Sequence, residues 1–235
     1  MSIHIIEDNE LQKIVEAIKE KNGITTNTFK GSDMAKEIKK QPILQNFAVG
    51  GAVSAVKEIT ADDVRNISSI QSYAFYGCRW LEKITFSENI ASMGNNCFNQ
   101  CSSLKEVTLS SGVKGTGTSG FINCINLEKI NVERLTSVGT SGFRYCAKLT
   151  ELVFEDLLSI GGTAFDGCTN LTSVVIKRGK VCTLADVSAF TNTPIASGNG
   201  YIYVLDNLVD DYKAAENWVK YASQIKPVSE WEAKQ

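Results

Sequence analysis

One short pattern, written five times between Ile67 and Ile176, limits what this chain can fold into. Phe75, Phe98, Phe121, Phe143 and Phe165 are each followed three residues later by Cys78, Cys101, Cys124, Cys146 and Cys168. Leu81, Leu104, Leu127, Leu149 and Leu171 come three further on, then Ile84, Val107, Ile130, Leu152 and Val174. The phenylalanines are spaced 23, 23, 22 and 22 residues apart. Agreement at this many points makes the chain a repeat protein, in which each unit packs only on its neighbours.

Within a unit, L-x-x-[IVL]-x-[FLVI] ends on apolar and polar residues in alternation, the period of a strand. The return segment, as in residues 69–78, is short and rich in turn formers, so it predicts a single helical or 3₁₀ turn. One unit cannot bury its apolar wedge alone, so units must stack. Glu82-Lys83, Lys105-Glu106 and Glu128-Lys129 swap sign at each step. Parallel strands about 4.8 Å apart would set each Lys beside a Glu of the next unit, worth about 0.2–1 kcal/mol per pair.

The run A-F-x-x-C-x-x-L-x-x-[IVL]-x-[FLVI] resembles the BspA-like, cysteine-containing bacterial leucine-rich repeat. The resemblance covers about half the chain. It implies an α/β solenoid, a right-handed superhelix of five coils of 22–23 residues, with a short parallel sheet on one face. It also implies surface attachment or interaction in place of catalysis. A sixth copy is reduced to Phe190, with Thr193 in the cysteine slot, so the stack is expected to fray near Ala185.

The flanks differ from the repeats. In residues 1–41, Leu11, Ile14, Val15 and Ile18 recur at helical spacing, and Met34, Ala35 and Ile38 suggest a second short helix before Pro42. This leader resembles that of many phage and prophage tail or baseplate proteins, which implies an attachment or homo-oligomerisation hairpin. Residues 42–66, with Phe47, Val49, Val53, Val56 and Ile59, read as capping strands. Residues 67–197 are the solenoid. In residues 198–235 a last strand, Tyr201 to Val204, precedes one amphipathic capping helix. That helix would bury Leu208, Tyr212, Ala215, Val219, Ala222 and Ile225, with Trp218 flanking, Asp206 or Asn207 as cap and Pro227 as stop.

The material for catalysis is thin. The one histidine, His4, lies in the leader. No HExxH, CxxC or calcium-loop motif occurs, so no metal or cofactor is expected. The literal GxGxxG of Gly115, Gly117 and Gly120 lacks the following helix of a dinucleotide site and reads as a turn. The five repeated cysteines should form a column of reduced, buried thiols. Scattered Lys and Arg give no nucleic-acid patch, and no apolar run is long enough for membrane insertion. No export signal opens the chain, so it is expected to be made in the bacterial cytoplasm.

What remains is the outer sheet face, with Lys83, Glu106, Lys129 and Glu151 in one column and Thr85, Thr108, Asn131 and Val153 in the next. Tyr73, Tyr76 and Trp80 of the first repeat form an aromatic cluster suited to contact, with ordinary packing as the alternative. The leading expectation is a non-enzymatic phage virion component of the tail or baseplate, bound to other tail proteins and presenting the solenoid to host or subunit. The alternative is a bacterial cell-surface adhesin module binding a host protein or glycan.

Overall fold

The computed structural model describes residues 57–235. The leader helices, and the cap strand expected from Phe47 to Val56, lie outside the described residues.

The repeats coil through two short strands, one on each side of a shared core, except the third, whose back side has only a bridge at Gly115. The front strands are β1 (Glu58–Ile59), β3 (Lys83–Thr85), β5 (Glu106–Thr108), β6 (Lys129–Ile130), β8 (Glu151–Phe154), β10 (Ser173–Ile176), β12 (Tyr201–Val204) and β13 (Ile225–Pro227). The back strands are β2 (Ser69–Ile70), β4 (Ser92–Met93), β7 (Ser137–Val138), β9 (Ser159–Ile160) and β11 (Thr183–Leu184). All pair parallel, and equivalent repeat positions are partners: Lys83 faces Glu106, Glu106 faces Lys129, Glu151 faces Ser173 and Ser173 faces Tyr201. The architecture is therefore a parallel β-solenoid of leucine-rich-repeat type whose few helices are short. The return segments hold no helical turn. Two-residue strands and tandem turns take their place, so there are sheets on two faces where one was expected.

Identity between coils makes the core a set of columns. Phe75, Phe98, Phe121, Phe143, Phe165 and Phe190 are fully buried. Successive rings stack at centroid distances of 4.9, 5.2, 5.4, 5.9 and 5.2 Å, and each such pair adds about 0.5–1.5 kcal/mol beyond burial. The cysteine column explains its own composition. Cys101, Cys124, Cys146 and Cys168 each donate a thiol hydrogen to the carbonyl of the phenylalanine one coil back, at 2.9, 3.0, 3.1 and 3.0 Å. That carbonyl also accepts the amide of its own coil's cysteine, as Phe98 does from Cys101 at 3.1 Å. A small apolar side chain with one weak donor suits this slot. All seven cysteines are buried and none is joined in a disulfide, and burial pushes the Cys97, Cys168 and Cys182 thiols up to about 12.

The stack does not fray at Ala185. Phe190 closes over Phe165, Thr193 donates to the Phe190 carbonyl at 2.6 Å, and β12 joins the front sheet. An aromatic lid then ends the column. The Phe190 ring meets Trp218 at 6.2 Å and Tyr221 edge-on at 5.3 Å. Polar tips of the lid satisfy the last coil's backbone. Cys182 N–H donates to the Tyr212 hydroxyl at 2.9 Å, Trp218 Nε1 to the Cys182 carbonyl at 2.6 Å, and Asn217 Nδ2 to the Leu184 carbonyl at 2.8 Å.

Those bonds also break the single capping helix that periodicity suggested. The segment runs as a 3₁₀ turn (Asp206–Leu208), α1 (Val209–Ala214), a 3₁₀ helix (Trp218–Gln224), β13 and α2 (Val228–Glu232). Ala215 is extended and Asn217 left-handed, which turns Trp218 into the core and leaves Val219 62% exposed. Pro227 precedes a helix where it was expected to end one, and Asp206 caps α2, accepting the Ser229 amide and hydroxyl at 3.1 and 2.6 Å.

Candidate interaction surface

With the interior filled by packing, chemistry is left to the outside. The front sheet is divided. Strands β1-β3-β5-β6 form one sheet and β13-β12-β10-β8 another. The side chain that ends the first sheet is Asn131. Its Oδ1 accepts the Leu109 amide at 2.6 Å and its Nδ2 donates to the Leu109 carbonyl at 2.9 Å, so an amide side chain takes the place of a ladder rung. Asn131 is thereby committed to the backbone. The back sheet breaks at the same coil, where a lone bridge joins Gly115 to Ser137 between β4 and β7.

On the first half, the sign alternation becomes real ion pairs. Lys83 Nζ lies 3.0 Å from Glu106, Lys105 Nζ 2.6 Å from Glu82, and Lys57 Nζ 2.7 Å from Glu82. Lys105, then Lys57, hold the Glu82 carboxyl down at about 2, while Glu106 raises Lys83 and Glu82 raises Lys105. Thr85 and Thr108 stand half-buried beside them, and Lys129 is exposed.

On the second half, the expected open face is covered. Val175 and Tyr203 are buried under Val228 of α2, with Val153 and Trp231 packed against them. Glu151 accepts the Trp231 indole N–H at 2.7 Å. Lys234 donates to the Tyr203 hydroxyl at 3.0 Å, and Lys177 lies 5.2 Å from the Trp231 ring centroid. Glu151 and Val153 are thus a dock for the chain's own tail. The repeat pattern marked them as outward, but it carried no information about what would fold back over them.

The turn edge, where each coil passes from back strand to phenylalanine, holds the first-repeat aromatics. Tyr73 is 54% exposed and packs at 5.8 Å on the half-buried Tyr76, whose hydroxyl accepts Gln100 Nε2 at 3.0 Å. Trp80 departs from the expected contact cluster, since its ring packs on the core. The repeat analysis missed Tyr145, 38% exposed on the same edge. Its ring is held by Arg144, whose Nη2 donates to the Tyr145 hydroxyl and whose Nε donates to buried Asp166, both at 2.8 Å. The other Asp166 oxygen accepts Asn192 Nδ2 at 2.9 Å. Gly167 makes room, because a Cβ there would come within 2.3 Å of the Tyr145 ring. A signal was present: aligned coils set Gly77, Gln100, Asn123, Tyr145, Gly167 and Asn192 in one column, where a tyrosine is out of place.

The GxGxxG stretch holds no loop open for a phosphate. A Cβ at Gly120 would meet the Thr116 carbonyl at 1.9 Å, and Thr116 is buried. Among the described residues no three His, Cys, Asp or Glu side chains are grouped to hold a metal ion, and no helix is long and apolar enough to cross a membrane.

Solved structures resemble the chain at low identity. A leucine rich cell surface protein from Faecalibacterium prausnitzii A2-165 is 21% identical over 63% of this chain and 42% of its own, with a TM-score of 0.46. The T. pallidum leucine rich repeat protein is 19% identical over 72% and 76%, with a TM-score of 0.45. A leucine-rich repeat protein from Bacteroides ovatus ATCC 8483 is 16% identical over 63% and 55%, with a TM-score of 0.29. The chain therefore spans less than half the length of the F. prausnitzii protein. No curated protein matches it in sequence. The model of the BspA type leucine rich repeat region matches in six copies, over residues 22–150 and 68–197. With more than half its length matched and the stacked coils in place, the chain belongs to the BspA type leucine-rich repeat family.

Proposed function

We propose that this chain is a non-catalytic binding module of the bacterial cell-surface adhesin kind, which recognises a partner on the outside of its solenoid. The observation that carries this reading is the complete use of the interior for packing. Phenylalanine rings and thiols fill it from Phe75 to Phe190, so the variable side chains are all on the surface, the usual arrangement in repeat proteins that bind. Two surfaces are open to a partner: the ion-paired first half of the front sheet, and the turn edge with its tyrosines.

Fluorescently labelled full-length chain mixed with host epithelial cells and with bacterial cells tests this. Saturable binding to either supports the reading, and its absence on both defeats it. The virion reading joins the interaction-type repeat to the helical leader, whose Leu11, Ile14, Val15 and Ile18 lie outside the described residues, and the family match gives it no support. Mass spectrometry of purified phage particles would revive that reading only by detecting the chain there.

A further inference from the structure

The turn edge is built under a backbone rule that Tyr73, Tyr145 and the β-branched Thr163 disobey, the last of them held by hydroxyl bonds with Ser141 and the Gly162 carbonyl at 2.8 and 2.7 Å. Five coils pass twice through the left-handed region and the coil of Phe190 once. One column holds Tyr73, Asn96, Ser119, Ser141 and Thr163 at φ between 53° and 64°, and the other holds Gly77, Gln100, Asn123, Tyr145, Gly167 and Asn192 at φ between 57° and 75°. Glycine and asparagine are what this conformation favours, and a bulky aromatic is a genuine outlier there. Tyr73 and Tyr145 accept that strain and still leave 54% and 38% of their surface exposed. Backbone strain maintained for exposed side chains is the kind that collects at binding sites.

We propose that Tyr73 and Tyr145 are two platforms of one lane that binds a neutral polysaccharide chain along the solenoid axis. The inference rests on the binding-module reading and supplies its surface and ligand class. The platforms are three coil steps apart, with two coils between them. With core rings 4.9, 5.2 and 5.4 Å apart over those steps, the tyrosines stand about 15 Å apart along the axis. Tyr73 precedes its phenylalanine by two residues and Tyr145 follows its own by two, so the lane runs obliquely from one column to the other, past the amides of Gln100 and Asn123 in the column of Tyr145. Tyrosine faces and side-chain amides are the groups that meet the apolar faces and hydroxyl rims of sugars.

Charge excludes the other partners. The guanidinium beside Tyr145 is neutralised by Asp166, which is itself satisfied on both oxygens, so Arg144 does not select an anion. A protein hot spot needs a desolvated apolar centre, and here polar amides interrupt the aromatics. Both platforms are also preorganised. Tyr145 is held by Arg144 and seated on Gly167, and Tyr73 rests on Tyr76, which Gln100 anchors. Little side-chain entropy remains to be lost on binding.

The test uses the full chain and the double variant Tyr73→Ser with Tyr145→Asn, which places at each site a residue that the same column already holds in another coil. Electrophoresis is run through gels containing xylan, mannan, glycogen or hydroxyethylcellulose, with heparin as the anionic arm. The natural chain is expected to be retarded by at least one neutral polymer, and the variant to bind it at least 10-fold more weakly. The variant's melting temperature is expected to be unchanged or higher, which separates lost contact from lost fold. Retardation by heparin alone, by no polymer, or equally in both proteins would overturn the proposal. Cell binding keeps the two readings apart. A variant that still binds cells as the natural chain does removes the lane and leaves the adhesin reading standing. A natural chain that binds the polymer but no cells does the reverse.

Discussion

The front of the solenoid is one surface by register and two by chemistry. In the coils of β3, β5 and β6 the outward pairs are Lys83 with Thr85, Glu106 with Thr108, and Lys129 with Asn131. In those of β8, β10 and β12 they are Glu151 with Val153, Ser173 with Val175, and Tyr201 with Tyr203. The backbone treats both halves alike. Charges that pair across coils stay in water, while the valines and Tyr203 call for cover, which the tail supplies with Val228 and Trp231. The same strand geometry therefore yields an open face or a dock, depending on side chains that never enter the core.

The strongest way to break this division is to remove what bridges it. Both sheets split at the coil of β6, but the Phe121 ring stays stacked between Phe98 and Phe143. Phe121→Ala should cost about 3–5 kcal/mol in chemical denaturation, with the transition broadening as the two halves separate. Trp231→Ala strips the tail from the second half. It should cost about 1–2 kcal/mol, less than a fully buried aromatic because Trp231 is only half-buried, and should induce binding of a hydrophobic dye that Lys83→Ala does not.

Asn131→Ala leaves the Leu109 amide and carbonyl without their partner and should lose about 1–2 kcal/mol. Asn131→Thr, which copies the residue type of Thr85 and Thr108, should recover part of that by lengthening β6. A double-mutant cycle on Lys83 and Glu106 should return a small favourable coupling at low salt and almost nothing at about 1 M. Last comes Glu82. Its folded-state carboxyl is held at about 2, below the ordinary 4.5, so its contribution is complete above that ordinary value and fades as pH falls towards 2. Glu82→Gln should flatten the stability profile in that acid window.

Much of the fold was legible because its determinants repeat. Phe75 and Cys78 recur with their neighbours at one spacing, and any arrangement burying one copy must bury the rest. The Lys83–Glu106 pair was legible for the same reason. Tyr145 and the tail dock were not. Tyr145 stands out in the sequence as the one aromatic two residues after a repeat phenylalanine, but that this position is left-handed came only with the backbone. The contact of Glu151 with Trp231 joins residues 80 positions apart, and no local period encodes it. The capping helix failed through the same blindness: apolar spacing from Leu208 to Ile225 fits a helix, while hydrogen bonds to Cys182 and Leu184 reward a broken chain.

By itself the amino-acid order determined a stack of coils, its inward columns and the facing of charge on charge, because each follows from a period of a few residues. Only the tertiary structure decided where the sheets divide, which half of the front is covered and where the strained tyrosines stand. Those outcomes depend on side chains meeting across long separations, where the gain of a contact is weighed against every other surface the chain could reach.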